Sequence, residues 1–302
     1  MVRALLVQPF CHLLILFTNE SLCTSSLIAA VCSGAKKVTS IESSSGSLPL
    51  YSATVSQLAN RLPVSDAEYI VLNAHFESIL LEHILGGPAQ IACSEPYYEV
   101  LEGWHLQEAL NYFYILRSMK LRGIVCNNAF CIPSSARLVG CAIELDEFFI
   151  NSYSGIEKGV KNIRTILDFN HDVVDAHCNR FHEYDMNYPL WQFKHRKLTE
   201  PFEIARILYE GSVETMMIEG DGVWKSCTFG KVGKCAAFLY WIDYHLPVQQ
   251  GFQIISTKDE YHFQSIRLLK TPVVVANHTT FFVQFNLSSD DDSDYNWSFR
   301  IE

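Results

Sequence analysis

Short apolar runs alternate with stretches of helical apolar spacing along the first third of the chain. The apolar runs predict strands at 13–17, 37–41, 69–73 and 90–94, and an extended segment that opens at 123–126. Apolar residues at helical spacing predict helices at 22–32, 49–62, 77–85 and 106–120. This alternation predicts βαβ units around a parallel sheet, and therefore an α/β fold.

Acidic residues follow several of the predicted strands. Glu42, Glu77 and Glu95 stand at or just after the ends of three of them. Ligands of parallel α/β sheets bind at the carboxyl ends of the strands, so these carboxylates are candidate ligand contacts. The alternative for Glu42 and Glu77 is a structural role in the first turn of a helix, where an acid favours the helix dipole.

The pattern changes at about Ser134. Helical spacing recurs only around 155–167, and the remaining apolar segments predict strands separated by turns. These predicted strands are 190–193, 203–209, 234–244, 252–256, 263–269, 279–287 and 297–301. The sequence therefore predicts an α/β domain over residues 1–133 and a β-rich domain over residues 134–302, built as a barrel or a sandwich.

Composition and charge exclude several classes of protein. The 302 residues are 49% hydrophobic and 19% charged, a globular balance that excludes a disordered or collagen-like chain. Lys and Arg total 23 against 33 Asp and Glu, and the net charge of −10 speaks against nucleic acid as a partner. An acidic surface suits a cationic partner such as an arginine-rich peptide. No stretch after the N-terminal run approaches the ~20 apolar residues of a membrane span, so no membrane partner is expected.

Cysteine usage and the N-terminus bear on the cellular compartment. The ten cysteines include no Cys-x-x-Cys pair, and a chain of this length needs no disulfides, which predicts reduced thiols in the cytoplasm or nucleus. Secretion is the alternative, because an apolar run follows Arg3 and sequons occur at Asn19, Asn277, Asn286 and Asn296. Polar residues and a proline interrupt that run, which favours a buried first strand instead.

Several segments resemble motifs of the protein arginine methyltransferase family, in the family's order and over nearly the whole chain. The segments are 34–42 (Gly-Ala-Lys-Lys-Val-Thr-Ser-Ile-Glu), 74–78 (Ala-His-Phe-Glu-Ser), 94–98 (Ser-Glu-Pro-Tyr-Tyr), 132–138, 236–246 and 261–265 (Tyr-His-Phe-Gln-Ser). In that order they resemble the ribose-binding strand, the adenine-binding segment, the start of the double-glutamate loop, the lead into the barrel, a barrel strand, and the Thr-His-Trp loop. The resemblance implies a Rossmann-like S-adenosylmethionine-methyltransferase domain followed by a β-barrel domain, with a helical, dimerisation-type arm at about 146–185.

The resemblance also implies roles for four residues. Glu42 and Glu77 correspond to the acids that hold the ribose and adenine of S-adenosylmethionine, the implied cofactor. Glu95 corresponds to the first carboxylate of the clamp that binds the arginine of a protein substrate, and His262 to the histidine that completes that pocket. A guanidinium is always charged and carries a fork of N–H donors, so two carboxylates can hold it and orient one nitrogen at the methyl group. For His262 the alternative is an ordinary loop or barrel residue.

Some segments resemble the second module of family members that carry two methyltransferase modules in tandem. These segments are 94–98, 103–105, 189–191 and 241–246. In such members the second module looks inactive and pairs with the first as a homodimer partner would. The chain also begins at its first predicted strand, without the family's N-terminal helices, which indicates a fragment, a truncated gene model, or a chain whose catalytic module is encoded upstream.

Two departures from the family pattern concern the chemistry itself. Counted back from Glu42, the three glycines of the donor-binding turn fall at Glu20, Leu22 and Thr24. Glu20 brings a carboxylate to where the donor's own carboxylate lies, and side chains at the other two positions block close approach of the backbone. The second clamp carboxylate falls near Trp104, where there is no acid. We therefore expect a degenerate, non-catalytic module that supports a catalytic module or pairs as a homodimer, and binds no donor alone.

Two other functions remain open from the sequence. One is an active arginine methyltransferase with a divergent donor site, and the other is a secreted glycoprotein of unrelated fold. A metal site is not expected, because the spacing of His171, His177, Cys178 and His182 matches no structural zinc pattern.

Overall fold

The computed structural model describes most of the chain outside its N-terminal part. The described residues are 12–16, 36–42, 49, 53, 57, 68–84, 86–97, 105–145, 165–166, 169–170, 185–248, 251–258, 263–287 and 295–302. Of the predicted helix at 49–62, the three described residues are helical. The predicted helix at 22–32 lies outside the described residues. No helix in the described part is long and apolar enough to cross a membrane.

Five parallel strands form the first sheet. They are β1 (His12–Leu16), β2 (Lys37–Glu42), β3 (Glu68–Asn73), β4 (Ala89–Cys93) and β5 (Val125–Ile132). Their order is β3-β2-β1-β4-β5, so the direction in which strands are added reverses between β1 and β4. The crevice at the carboxyl ends beside such a reversal is where sheets of this type bind ligands. The predicted parallel α/β sheet is confirmed.

Helix α1 (His105–Leu121) follows β4 and confirms the helix predicted at 106–120. Its buried residues include Leu106, Ala109 and Phe113, which recur at helical spacing. They belong to one cluster of buried side chains together with Ala92 of β4 and Tyr244 of the second half. The helix therefore packs against both halves of the chain.

The helix predicted at 77–85 is wrong. The chain there forms two 3₁₀ turns, Phe76–Ser78 and Leu81–His83, with extended residues between them. Arg122 donates hydrogen bonds to the carbonyl oxygens of Phe76, at 2.9 Å, and of Ile79. These carbonyls are therefore satisfied by a distant side chain rather than by the next turn of an α-helix.

Antiparallel sheets build the second half. The larger sheet contains β6 (Ser135–Leu145), β9 (Asp185–Tyr188), β10 (His195–Lys197), β11 (Phe202–Leu208), β12 (Ile218–Glu219), β14 (Gly233–Val248), β15 (Gly251–Ser256) and β16 (Gln264–Val275). The smaller sheet contains β13 (Trp224–Thr228), β17 (Thr280–Leu287) and β18 (Tyr295–Ile301). The order in the larger is β12-β11-β6-β14-β16-β9, with β10 on β6 and β15 on β14.

An aromatic core joins the two sheets of the second half. Phe238 of β14 is fully buried, and its ring lies 5.6 Å from Phe281 of β17 and 5.5 Å from Trp297 of β18. The sheets therefore enclose a barrel-like core, as the β-rich prediction requires, although hydrogen bonds between the described strands do not close a barrel. Within the predicted arm, β7 (Thr165–Ile166) and β8 (Phe169–Asn170) form a short ribbon, and most of the remaining arm residues lie outside the described part.

Two predictions for the second half need correction. The strand predicted at 190–193 is wrong, because Leu190–Gln192 is a 3₁₀ turn and the Leu190 N–H donates to the Gln264 side chain at 3.2 Å. The prediction also missed β6, which pairs with both β11 and β14. This strand is buried on both faces, so it lacks the alternation of apolar and polar residues that marks a half-exposed strand.

Polar contacts tie α1 to the segment that follows β11. Lys120 is buried, and its Nζ donates to the carbonyl oxygens of Tyr209 at 3.3 Å and of Gly211 at 2.7 Å. The Tyr209 hydroxyl donates to the carbonyl of Ala109 at 3.2 Å. Burial lowers the pKa of Lys120 and raises the pKa of Glu210.

The predicted domain boundary at 133/134 falls between β5 and β6 and stays a prediction.

Candidate functional site

The three acids singled out from the sequence follow three strands of the parallel sheet. Glu42 is the last residue of β2, and Glu77 is an exposed residue of the 3₁₀ turn after β3. Glu95 stands two positions after Cys93, the last residue of β4. Because the strands are parallel, all three positions lie at the carboxyl edge of the sheet. Their role in ligand binding stays a prediction.

Strand β1 separates these positions into two groups. Glu42 and Glu77 follow strands on one side of it, and Glu95 follows β4 on the other. Neighbouring strands are about 4.8 Å apart, so the ends of β2 and β4 are about 10 Å apart across the end of β1. The predicted donor turn follows β1, but its three positions, Glu20, Leu22 and Thr24, lie outside the described residues.

The residues around Glu95 are held in place from both sides. The Ser94 N–H donates to the carbonyl of Ile132 at 2.9 Å, which extends the pairing of β4 with β5. The Ser94 hydroxyl and one carboxylate oxygen of Glu95 are shielded from water, and Pro96 is buried. Glu95 therefore projects from a fixed strand end, with its carboxylate partly removed from solvent.

Tyr244 of β14 holds the same loop from the second half. Its ring centroid lies 5.6 Å from that of Tyr97, at an interplanar angle of 60°. Its buried hydroxyl lies 3.5 Å from two carbonyl oxygens, those of Pro96 and His105, and one hydroxyl hydrogen is shared between them. The loop that carries Glu95 thus depends on a residue almost 150 positions later in the chain.

His105 connects this loop to the segment that carries His262. The His105 ring is buried at the start of α1, and its Nε2 donates to the carbonyl of Phe263 at 2.8 Å. Nε2 must carry the proton here, because a carbonyl oxygen only accepts. His262 itself lies outside the described residues, but its neighbour Phe263 is fixed beside the start of the helix that follows the Glu95 loop.

Both ends of the His262 loop are anchored. Before the loop, the Thr257 N–H donates to the carbonyl of Ile242 at 2.9 Å, and the Thr257 hydroxyl accepts from the Ile242 N–H at 3.0 Å. After the loop, the Gln264 amide donates to the carbonyl of Lys258 at 3.4 Å and accepts from the Leu190 N–H. Strand β14 and the 189–193 segment therefore set where this loop begins and ends.

Sequence reasoning missed the residues that assemble this site. It assigned no role to His105, Tyr244 or Trp191, although all three lie in segments that carried the family resemblance. Trp191 is 41% exposed, and its ring meets Phe263 edge-on at 5.5 Å. The signals in the sequence were a histidine directly before a predicted helix and a tyrosine at the end of an apolar predicted strand.

The chemistry available here is that of charge pairing. A partly shielded carboxylate such as that of Glu95 can accept hydrogen bonds from an ammonium or a guanidinium, and such bonds are stronger than neutral ones. Among the described residues no group of three His, Cys, Asp or Glu side chains is arranged to hold a metal ion. The four His and Cys positions between 171 and 182 lie outside them.

Comparison with known proteins gives a fold but no sequence relative. No family model matches the sequence, and no curated protein matches it. The fold matches that of protein arginine methyltransferase 10 of Arabidopsis thaliana, seen in a uniquely open conformation, with a TM-score of 0.67 at 13% identity over 97% of this chain and 84% of that chain.

Two further solved structures share this fold. One is the Trypanosoma brucei protein arginine methyltransferase 1 enzyme–prozyme heterotetrameric complex with AdoHcy, with a TM-score of 0.65 at 14% identity over 100% of this chain and 87% of that chain. The other is protein arginine methyltransferase 6, with a TM-score of 0.57 at 14% identity over 100% of this chain and 94% of that chain. The chain therefore has the fold of protein arginine methyltransferases, with a Rossmann-like domain followed by a barrel-like domain, as predicted.

Proposed function

We propose that this chain is a protein arginine N-methyltransferase module whose own donor site is degenerate, and that it supports a catalytic module. Within the family, the chain resembles the second module of the tandem enzyme protein arginine methyltransferase 7. The proposal rests on the fold, the acids and the donor-turn positions taken together. The fold covers both domains of the family, and the acids stand at the expected strand ends, while the donor-turn positions hold no glycine.

The donor turn is the first reason to expect no methyl transfer by this chain alone. S-adenosylmethionine presents its own carboxylate to this turn, and Glu20 adds a second carboxylate that repels it. Leu22 and Thr24 stand where only glycine leaves room for the close approach of backbone and ligand. These residue types do not fit the cofactor, although Glu42 and Glu77 keep the positions of the acids that hold it.

The arginine clamp is the second reason. Glu95 supplies one carboxylate, but Trp104 stands where the family has the second. A single carboxylate pairs with one side of the guanidinium fork and leaves the other donors without acid partners. Such a site can recognise an arginine of a protein substrate without orienting a nitrogen for transfer. We expect substrates to be arginine-containing proteins that are methylated by the assembled enzyme.

An exposed apolar corner supports docking of another module. Leu80, Leu81 and Leu121 are 51%, 42% and 65% exposed. Arg122 donates to the carbonyl of Ile79, which joins the end of α1, with Leu121, to the 3₁₀ turns that carry Leu80 and Leu81. Exposed apolar surface on joined elements is a candidate for a protein–protein contact. The enzyme–prozyme heterotetramer with the same fold supports a catalytic methyltransferase partner, with a homodimer as the alternative.

The redox state of the described cysteines supports the compartment expected for such a module. The described cysteines are not joined in disulfides; they are Cys93, Cys126, Cys131, Cys141, Cys227 and Cys235. Burial raises the pKa of Cys131 to about 12, so this thiol stays protonated and unreactive. We expect the protein in the cytoplasm, the nucleus or both. The secreted glycoprotein considered from the sequence was expected on an unrelated fold, and the fold found here contradicts that part of the alternative.

Calorimetric titration of the purified chain with S-adenosylmethionine tests the donor site. We expect no saturable heat up to millimolar donor, and light scattering should show the chain binding to a catalytic methyltransferase module. The same titration of an active family member is the positive control. A well-behaved monomer that associates with no catalytic module contradicts the supporting role.

An active methyltransferase with a divergent donor site is the second candidate. The observation that favours it is that Glu42, Glu77 and Glu95 all lie at the carboxyl edge of one parallel sheet. It predicts micromolar donor binding that Glu42→Ala abolishes, and methyl transfer to an arginine peptide that Glu95→Gln abolishes. Absence of binding at millimolar donor rejects it.

A further inference from the structure

Cations lie over tryptophan rings at two places in the second half. The guanidinium carbon of Arg300 is 5.2 Å from the ring centroid of Trp224. The Nζ atoms of Lys197 and Lys258 are 5.8 and 5.7 Å from the ring of Trp241. All three distances are within the range of cation–π attraction. The exposed ring of Trp224 and the buried ring of Trp241 therefore each take a cation from the chain itself.

Trp191 differs from these residues. It is 41% exposed, almost the same as the 42% of Trp224, yet within the described residues no cation lies over its ring. Its recorded contact is the edge-on packing against Phe263 at 5.5 Å. No described residue accepts a hydrogen bond from its indole N–H, whereas the Trp297 indole donates to Asp185 at 3.1 Å. As far as the described part of the chain shows, this exposed tryptophan has a π face and an N–H that are available for binding.

The location of Trp191 connects it to the candidate site. The preceding residue, Leu190, is fixed to the Gln264 side chain at 3.2 Å. Phe263, which packs against the Trp191 ring, is itself held through its carbonyl by His105 at the start of α1. The ring is therefore held beside the His262 loop, on the same hydrogen-bonded framework that positions the Glu95 loop. Little conformational freedom is left to lose when a ligand binds.

We infer that Trp191 binds a cationic side chain of a basic peptide, an arginine next to the one that enters the Glu95 site. The ring supplies the cation–π face, and the net charge of −10 favours the approach of a basic peptide. The inference deepens the proposed function, because it assigns a second contact for the same class of ligand.

Peptide binding by the full chain tests the inference without a catalytic module or a methyl donor. The probe is a fluorescein-labelled peptide of alternating glycine and arginine, followed by anisotropy. Its matched peptide carries citrulline, which keeps the shape of arginine and removes the charge. We expect Trp191→Ala to weaken binding of the arginine peptide by about two- to fivefold, the range for one exposed cation–π contact. Trp191→Phe keeps an aromatic face and should lose less.

Trp224→Ala is the matched control, because its ring is equally exposed and already occupied by Arg300. It should leave the affinity for the arginine peptide unchanged. The inference is overturned if both alanine variants have the same effect, or if Trp191→Ala weakens the citrulline peptide as much as the arginine peptide. Failure to associate with a catalytic module would reject the supporting role and leave this result standing, so the two proposals can fail separately.

Discussion

Tyr244→Phe tests whether the second half of the chain holds the loop that carries Glu95. The variant removes one buried hydroxyl and keeps the ring that packs on Tyr97. That hydroxyl shares its hydrogen between the carbonyls of Pro96 and His105, both at 3.5 Å, which is longer than an O–H···O bond of ordinary length. Such a weak shared bond contributes at the low end of the range of about 0.5–1.5 kcal/mol, so we expect the free energy of unfolding to fall by ~0.5 kcal/mol.

Urea unfolding and peptide binding together separate stability from positioning. Tyr209→Phe is the control, because it removes a similar buried hydroxyl, bonded to the carbonyl of Ala109 at 3.2 Å, away from the Glu95 loop. Tyr244→Phe should lose ~0.5 kcal/mol and Tyr209→Phe ~1 kcal/mol, both with an unchanged urea slope. Only Tyr244→Phe should also weaken binding of the arginine peptide, because only its hydroxyl fixes that loop.

Two results would refute this reasoning. If Tyr244→Phe unfolds at the wild-type urea concentration and binds the peptide equally well, the shared hydrogen bond holds nothing in place. If Tyr209→Phe weakens peptide binding as much as Tyr244→Phe, the effect comes from general loosening of the fold and not from the loop that carries Glu95.

Two further predictions concern packing and pH. Gly140→Ala should lower the free energy of unfolding by about 1–3 kcal/mol in urea titration, because the added methyl meets the Phe238 ring and lies 2.8 Å from a backbone carbonyl oxygen. The control Gly230→Ala, with open space around the added methyl, should change that free energy by less than about 0.5 kcal/mol. Equal stability of the two variants would contradict this prediction. Burial, followed by the charge of Arg137, lowers the pKa of His245 below its ordinary 6.5, so below that pH the unfolded chain binds more protons than the folded chain and stability falls as the pH falls. His245→Gln should reduce the loss of stability between pH 7.5 and 5.5, and an identical pH profile for this variant would contradict the assignment.

Local patterns in the sequence predicted the parallel sheet well because its strands are short apolar runs. Each of β1 to β4 lies within one residue of its predicted bounds. The prediction for the segment after β3 was wrong because two of its carbonyls accept from Arg122, which lies more than 40 positions away in the sequence. Strand β6 failed for a different reason. It carries buried residues on both faces and Gly140 in its middle, so neither alternation nor propensity marked it.

The candidate site was predictable only in part, because the contacts that hold it join residues far apart in the sequence. The positions of Glu42, Glu77 and Glu95 follow from strand ends, which the apolar pattern locates. The contacts that hold the site do not, because His105 reaches a carbonyl 158 positions later and Tyr244 reaches carbonyls 139 and 148 positions earlier. Pairings at such separations are set by the packing of α1 against β14, which no local pattern encodes.

The proposed loss of methyl-donor binding and the proposed peptide-binding surface concern different parts of the chain. The donor turn follows β1, whereas the Glu95 loop is held by Tyr244, and the segment after it by His105 and Phe263. None of these contacts involves the donor-turn residues. We therefore expect the residues present in the donor turn to leave the framework beside Glu95 in place. Arginine-peptide affinity should then be unchanged by substitutions in the donor turn, and a donor-turn variant that abolished peptide binding would show that the framework needs that turn.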